Sequence, residues 1–462
     1  MTKRFNQYIN SLKDKKIAVL GMGISNRPLV DFFMEKEIYP DLFDKNINDE
    51  LTSQYYFPGK NNLHFGEDYM SYVKGYDVIF KTPSMRPDLP ELLDEQERGA
   101  IITSEMNEFL RFCPCKTFGI TGSDGKSTTT TIIAKMLEAE GYKVWLGGNL
   151  GTPLFNCLPK IKEDHMAVLE LSSFQLMTME ISPDVAVITN ITPNHLDIHK
   201  DYEEYIEAKR NILRYQKANG KAVLNLDNKL TAKFYDEYDK EALGFCKGRS
   251  CVSCICYIND VVCKIDKMEK QTVLLETNKI RLPGIHNIEN YMAACGAVMD
   301  DVTIKSMQKV AYEFKGVEHR REEVRTVNQR TFYNDSIASS PTRTKATLST
   351  FKQKVILIAG GKDKKNDYSI LAPDLCQKVK TLILTGQTAQ AIDDALKEYL
   401  NKNGGKGPVI YRFDDFNEAV QFSYKISQPG DEILLSPAST SFDRFKNFEE
   451  RGNRFKEIVE IL

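Results

Sequence analysis

The stretch Gly119-Ile120-Thr121-Gly122-Ser123-Asp124-Gly125-Lys126-Ser127-Thr128 decides how this chain reads. Upstream, Lys116-Thr-Phe-Gly-Ile is a short buried strand by pattern. Downstream, Ile132, Ile133, Met136 and Leu137 fall on one face at helical spacing, and Gly141 stands where a helix would end. Strand, glycine loop and helix form the context of a phosphate-binding loop. Glycines let successive backbone N–H groups turn toward phosphate oxygens, and the helix N-terminus adds its partial positive charge. Lys126 can then reach the terminal phosphates, and the Ser127 hydroxyl can ligate Mg²⁺. The spacing is G-x-x-G-x-x-G-K-S; the common P-loop pattern would need glycine where Ile120 stands. Gly-Lys-Ser at a helix start still predicts a nucleoside triphosphate site, with ATP the expected nucleotide.

At 462 residues, 42% of them hydrophobic, the chain can bury several cores. Lys+Arg of 62 against Asp+Glu of 64 gives a formal net charge of −2, so no basic excess points to nucleic acid. No apolar run approaches membrane-spanning length. The start, MTKRFNQYINSLKDKK, lacks the apolar stretch of a signal peptide, so a cytoplasmic protein is expected. Five of the ten cysteines crowd together: Cys246, Cys251, Cys254, Cys256 and Cys263. Cys251-x-x-Cys254 invites a zinc reading, but no second well-spaced pair or histidine is near. Cys254 and Cys256 alternate with Ile255 and Tyr257, which predicts half-buried residues of a hairpin.

Before the loop, Lys16-Ile-Ala-Val-Leu20 is a strand leading into Gly21-Met-Gly23-Ile-Ser25-Asn26 and an amphipathic stretch from Pro28 to Met34. A second strand, Tyr39 to Phe43, ends in Asp44. This is half of a dinucleotide-type βαβ unit, with Asn26 in place of the third glycine. Tyr76 to Phe80 is another strand, and the first domain is expected to end at residue 112. After the loop, Met166-Ala-Val-Leu-Glu170 carries a carboxylate at its C-terminal end, well placed for the Mg²⁺ of a nucleotide. The strand from Val185 to Asn190 opens into Asn194-His195-Leu-Asp197-Ile-His199, a site-like cluster. On the helix from Tyr202 to Gln216, Lys209 reads by default as a solvated residue. Asn287 and Asn290 share a helix face, where they could hold a base or ribose, although Asn287 also suits an N-cap.

Beyond Gly316, apolar runs at Lys354–Ala359, Thr381–Gly386 and Asp431–Ser436 alternate with helical stretches. They predict a parallel sheet covered on both faces, with ligands at the polar strand ends. Ser441 suits a helix N-cap with Asp443 in the first turn, and the phenylalanines that follow at three-residue spacing read as core.

Several stretches together resemble the Mur ligase family: Gly122-Ser-Asp-Gly-Lys-Ser127, Leu169-Glu-Leu-Ser-Ser-Phe-Gln-Leu176, His286-Asn-Ile-Glu-Asn290 and the run from Ser436 to Gly452. The last favours the branch that adds D-glutamate. The resemblance implies an α/β protein of three domains: a Rossmann-like N-terminal domain (1–112), a central P-loop ATPase-like domain (113–315) and a Rossmann-like C-terminal domain (316–462). It implies an ATP-dependent, Mg²⁺-using ligase joining D-glutamate to UDP-N-acetylmuramoyl-L-alanine, with a monomer expected. Gly122, Ser123, Asp124, Gly125, Lys126, Ser127 and Thr128 would hold ATP, together with Asn287, Asn290, Arg320 and Asp335. Ser127 and Glu170 would bind one metal ion; His195 and a carbamylated Lys209 would join a second. Lys126, His195 and Lys209 would be catalytic. Ser25, Asp44, Asn149 and Ser172 would contact the UDP-muramoyl substrate. Lys364, Ser441, Phe442 and Phe448 would hold D-glutamate, and the third domain would close over the site.

Two positions depart from the family pattern. Asn194-His195 stands where Asp-His is frequent, and Asp335-Ser336-Ile337 where Asp-Ser-Lys is frequent. A cation is therefore missing at Ile337, with Lys362, Lys364, Arg343 and Lys345 as candidates to supply it. These departures are also what a nucleotide-binding protein without turnover would carry; the complete phosphate and metal set speaks against that.

Overall fold

The computed structural model describes residues 3–46, 49–149, 152–193, 199–248, 253–362 and 366–462. His195, Asn194, Asp197, Cys251 and Lys364 lie outside the described residues. Three sheets organise the chain. The first has five parallel strands in the spatial order 3-2-1-4-5, running from Ile17–Leu20 to Ile101–Thr103. That is the doubly wound order, in which ligands sit at the carboxyl ends of the central strands. All four residues of Ile17–Leu20 and of Val78–Lys81 are buried, as strands covered by helices on both faces should be.

The second sheet runs from an edge at Val144–Gly148 through Met166–Glu170, Lys116–Thr121, Val185–Ile188, Lys221–Asn225, Glu241–Lys247 and Cys254–Ile258, all parallel. It ends in two antiparallel strands, Val261–Ile265 and Gln271–Glu276. The glycine-loop strand is thus interior, flanked by the strand of Glu170 and the strand that opens toward residue 190. Helix Lys126–Glu140 packs its Ile132, Ile133, Met136 and Leu137 against this sheet, and Gly141 closes it in the left-handed conformation (φ 109°).

The third sheet begins with Glu322–Val327 antiparallel to Arg330–Asn334, then continues in parallel through Glu432–Leu435, Val355–Ala359, Val379–Thr385 and Val409–Phe413. Its cores lie on both faces of the sheet. The chain divides into two compact units, Met1–Phe314 with the first two sheets and Lys315–Leu462 with the third.

Candidate active site

The glycine loop is tied down from behind. Gly122 has φ 150° and Gly125 φ 81°, and a Cβ on Gly125 would meet Asn290 Oδ1 at 2.4 Å. Only glycine fits there. Ser123 N–H donates to the Asn190 carbonyl at 2.9 Å, and Asp124 N–H to Asn190 Oδ1 at 2.9 Å. The Thr189 hydroxyl donates to the Asp124 carbonyl at 2.5 Å. Ser123 Oγ sits 2.9 Å from the Tyr205 hydroxyl and donates to the Thr192 carbonyl. These bonds hold the loop open toward the helix, whose first N–H groups have no intrahelical acceptor and suit phosphate oxygens. Ser127 and Thr128 begin that helix as buried residues. Lys126 Nζ folds back onto the carbonyls of Gly122 (2.8 Å) and Ser123 (2.9 Å).

Lys209 is not a solvated residue. It is 1% exposed, and its Nζ donates to the Gly122 carbonyl at 2.8 Å and reaches Thr121 Oγ1 at 3.3 Å. The helix Tyr202–Arg214 is amphipathic, and Lys209 lies on its inward face with Tyr205, Ile206, Ala208 and Ile212. Burial first, and the Lys126 charge second, hold its amine well below the ordinary lysine range; Glu170 and Asp124 pull the other way. Burial thus favours the uncharged amine over the ammonium form here.

Glu170 is 2% exposed at the end of its strand. Its Oε1 accepts from Asn149 Nδ2 at 2.8 Å, while its buried Oε2 has no hydrogen-bond partner among the described residues. An unmatched carboxylate oxygen is costly away from water unless a cation meets it. The donor set of a carboxylate and the Ser127 hydroxyl is all oxygen, which fits Mg²⁺. On the other side of the loop, Asn290 Oδ1 accepts from Thr129 Oγ1 at 3.2 Å, and Asn290 Nδ2 donates to Asn287 Oδ1 at 3.2 Å. Gly284, not Asn287, caps helix Ile285–Val298; Asn287 sits inside its first turn and donates to the Pro283 carbonyl at 2.6 Å.

In the first sheet, Gly21 takes φ 85° at the end of its strand, and Asp44 Oδ2 accepts the Met22 N–H at 2.7 Å. Asn26 substitutes for the missing glycine by chemistry: its amide donates to the carbonyls of Leu20 (3.1 Å) and Gly21 (2.8 Å), closing the turn. Ser25 lines a small cleft with Pro83, Gly148, Pro153 and Gln175. Ser172 caps helix Ser173–Leu176 in a capping box with Gln175. His199 is a structural histidine, buried, stacked on Phe174 at 5.2 Å and 2.9 Å from Ser173 Oγ.

In the second unit, Asp335 is buried and burial raises its carboxyl to about 6; it accepts from Ser436 Oγ at 2.7 Å and from the Arg321 N–H at 3.1 Å. Arg320 follows the short turn at Val317 that leads to it. The helix expected to begin at Ser441 begins instead at Phe448, capped by Asn447, whose side chain accepts from the Glu450 N–H. Residues 441–447 form turns, with the carbonyl of buried Ser441 accepting from Arg444 and Phe445. The phenylalanine row is not core: Phe442 is 59% exposed, Phe448 is half-buried, and Phe445 is half-buried against the apolar cluster of this sheet. Phe448 meets His319 edge-on at 6.0 Å, and its carbonyl accepts from Ser336 Oγ.

Sequence reasoning missed two supports. Asn190 and Thr189 hold the phosphate loop; their position at a strand end was the available signal. Arg451, 2% exposed, donates to Ser336 Oγ, the Ser336 carbonyl and the Ser439 carbonyl, and burial lowers its pKa to about 10. Near Ile337, the Arg343 guanidinium donates to the Ile337 carbonyl at 3.2 Å, whereas Lys345 pairs with Asp374 at 3.5 Å.

Comparison with known proteins completes the picture. The Mur ligase middle domain matches residues 120–298, and the Mur ligase, glutamate ligase domain matches residues 319–439. The UDP-N-acetylmuramoylalanine--D-glutamate ligases of Ruminiclostridium cellulolyticum and Acetivibrio thermocellus are each 48% identical to the chain, with both partners covered over 100% of their length. Among solved structures, the UDP-N-acetylmuramate-alanine ligase of Thermotoga maritima aligns with a TM-score of 0.58 at 18% identity, covering 97% of this chain and 99% of that one. MurF of Acinetobacter baumannii aligns with a TM-score of 0.57 at 18% identity, covering 84% and 92%. At that identity the two structures speak to the fold.

Proposed function

The chain belongs to the Mur ligase family, and from that footing we propose that it performs the reaction for which its full-length relatives are named, joining D-glutamate to UDP-N-acetylmuramoyl-L-alanine at the expense of ATP. The observation that carries the reading is Lys209, a lysine buried against the phosphate loop with its amine on the Gly122 carbonyl. A neutral amine there can add CO₂ and release a proton, becoming a carbamate. The carbamate puts an anion suited to a metal ion where a lysine ordinarily carries a positive charge.

In this reading the L-alanine carboxylate attacks the γ-phosphate of ATP, giving an acyl phosphate and ADP. The deprotonated amine of D-glutamate then attacks the acyl carbon, and phosphate leaves. Lys126 moves from the loop carbonyls to the terminal phosphates, and the amides at the start of its helix take phosphate oxygens. Asn287, Asn290, Arg320 and Asp335 hold the rest of the nucleotide. Ser127 and Glu170 would hold Mg²⁺, and His195 and carbamylated Lys209 would hold a second ion. Bound Mg²⁺ supplies positive charge to the phosphoryl oxygens.

The first sheet's loop, with Ser25 and Asp44, takes the UDP end of the substrate, and Asn149 and Ser172 its muramoyl part. Asn149 already touches Glu170, so substrate and metal contacts share one side chain. Lys364, Ser441, Phe442 and Phe448 bind D-glutamate, and Arg343 supplies the positive charge absent from Ile337. Domains of 1–112, 113–315 and 316–462, a monomeric state and a cytoplasmic setting complete the proposal; no helix among the described residues is long and apolar enough to cross a membrane.

The test is product formation. Purified protein given ATP, Mg²⁺, UDP-N-acetylmuramoyl-L-alanine and D-glutamate should yield the condensed product by mass spectrometry, with equimolar ADP. ADP release without that product would refute the assignment.

A further inference from the structure

Three of the crowded cysteines are brought to one point by the second sheet. Cys246 on Glu241–Lys247 lies directly opposite Cys256 on the parallel neighbour Cys254–Ile258. Cys254, two residues earlier, faces the same side of the sheet. Sulfur separations are 3.0 Å for Cys254–Cys256 and 3.6 Å for Cys246–Cys256, and all three sulfurs lie within 4.8 Å of one another. Each residue is fully buried, in an apolar cluster with Ile265, Leu226, Ile258 and Val261. A fourth cysteine of the row, Cys263, points its thiol at the Cys256 carbonyl at 3.6 Å and stands outside the trio.

We propose that Cys246, Cys254 and Cys256 form a buried three-sulfur site for a thiophilic d¹⁰ cation, Cu⁺ or Zn²⁺. An ion with metal–sulfur bonds of about 2.3 Å holds three sulfurs about 4 Å apart, a spacing these side chains reach by small rotations. Isolated buried cysteines behave as small hydrophobes, with no reason to converge on one point. Sulfur-only donors select soft ions, and three-coordination suits Cu⁺, while Zn²⁺ needs a fourth donor from outside the trio. On binding, two of the thiols around Cu⁺, or all three around Zn²⁺, give their protons to solvent, and no electron is transferred. Two thiolates and a thiol around Cu⁺, or three thiolates around Zn²⁺, leave the same single negative charge. Strands Glu241–Lys247 and Cys254–Ile258 then gain a cross-link distinct from the phosphate site.

The full-length chain, produced in medium supplemented with copper or with zinc and purified under a non-thiol reductant, is treated with a chelator and assayed by plasma mass spectrometry. Retention of close to a single ion per chain is expected, with X-ray absorption giving a sulfur-dominated shell at about 2.3 Å. Cys254→Ala and Cys256→Ala should lose the ion, whereas Cys113→Ala and Cys376→Ala should keep it. Either cation held by these sulfurs bears the proposal out. A metal-free wild-type chain, a nitrogen- or oxygen-dominated shell, or loss of the ion in the Cys113 variant overturns it. The absorption shell is read on wild-type protein, so the answer stands even where a variant fails to fold.

Discussion

A buried lysine must be neutral or paired, because taking an ammonium group out of water costs several kcal/mol. Lys209 meets that condition beside the phosphate loop, where its amine bonds to a carbonyl and burial disfavours the proton. Lys209→Ala should abolish ligase turnover, with partial rescue by a small carboxylate such as acetate that takes the carbamate's place; undiminished turnover would reduce Lys209 to a support for the loop. Lys126→Ala should lower D-glutamate-dependent phosphate release by at least ~10²-fold, the scale of losing a charge aimed at the reacting group. Circular dichroism of that variant should be unchanged. At Ile337, Arg343→Ala should raise the apparent KM for ATP or D-glutamate in steady-state assays, while Lys345→Ala, whose amine pairs with Asp374, should not.

Elements set where these side chains can stand. Continuous apolar runs made the parallel sheets legible, since every residue of Val355–Ala359 and of Met166–Glu170 is buried, as covered strands require. The glycine loop and its helix were legible for the same reason, with Gly141 marking the end. Helix starts were less so: Ser441 and Asn447 are both good caps, and only tertiary packing selects the second. Asn447→Ala should therefore cost about 1 kcal/mol in denaturant unfolding, whereas Ser441→Ala should leave stability nearly unchanged while weakening D-glutamate binding. The crowding of cysteines was legible, but their convergence was not, because register between strands, not spacing along the chain, brings Cys246 to Cys256. Lys209 reads as solvated from the helix pattern alone, and only the family resemblance singles it out.

Helix Glu105–Phe112 carries a further signature. Glu105 Oε1 accepts the N–H groups of Leu154 (3.0 Å) and Phe155 (2.8 Å), and burial raises its carboxyl from 4.5 to about 7. The folded state therefore binds this proton more tightly than the unfolded chain. Its stabilising contribution is complete below pH 4.5 and is lost as pH rises through 7, a swing of up to about 3 kcal/mol. Glu105→Gln keeps both acceptor contacts, so melting curves of the variant should lack this downward trend between pH 5 and 7.5. An identical slope in both proteins would assign the trend to other groups.

At the scale of the whole molecule, the residues proposed for ligand chemistry are divided between two compact units. Met1–Phe314 carries the phosphate loop, Glu170, Lys209, the two asparagines and the first-sheet loop; Lys315–Leu462 carries Asp335, Ser441, Phe442 and Phe448. The second unit has its own apolar cores on both faces of its sheet. Expressed alone, 315–462 should melt cooperatively in circular dichroism, whereas a broad transition would mean that it needs the rest of the chain. The central claim, that triphosphate cleavage at the Gly122–Ser127 loop drives amide formation with D-glutamate, is tested most directly by phosphate release measured across L- and D-amino acids. With ATP, Mg²⁺ and UDP-N-acetylmuramoyl-L-alanine present, D-glutamate alone should stimulate release, and the Lys126→Ala variant should not respond to it. Equal stimulation by L-glutamate or other amino acids, or none by D-glutamate, would contradict the account.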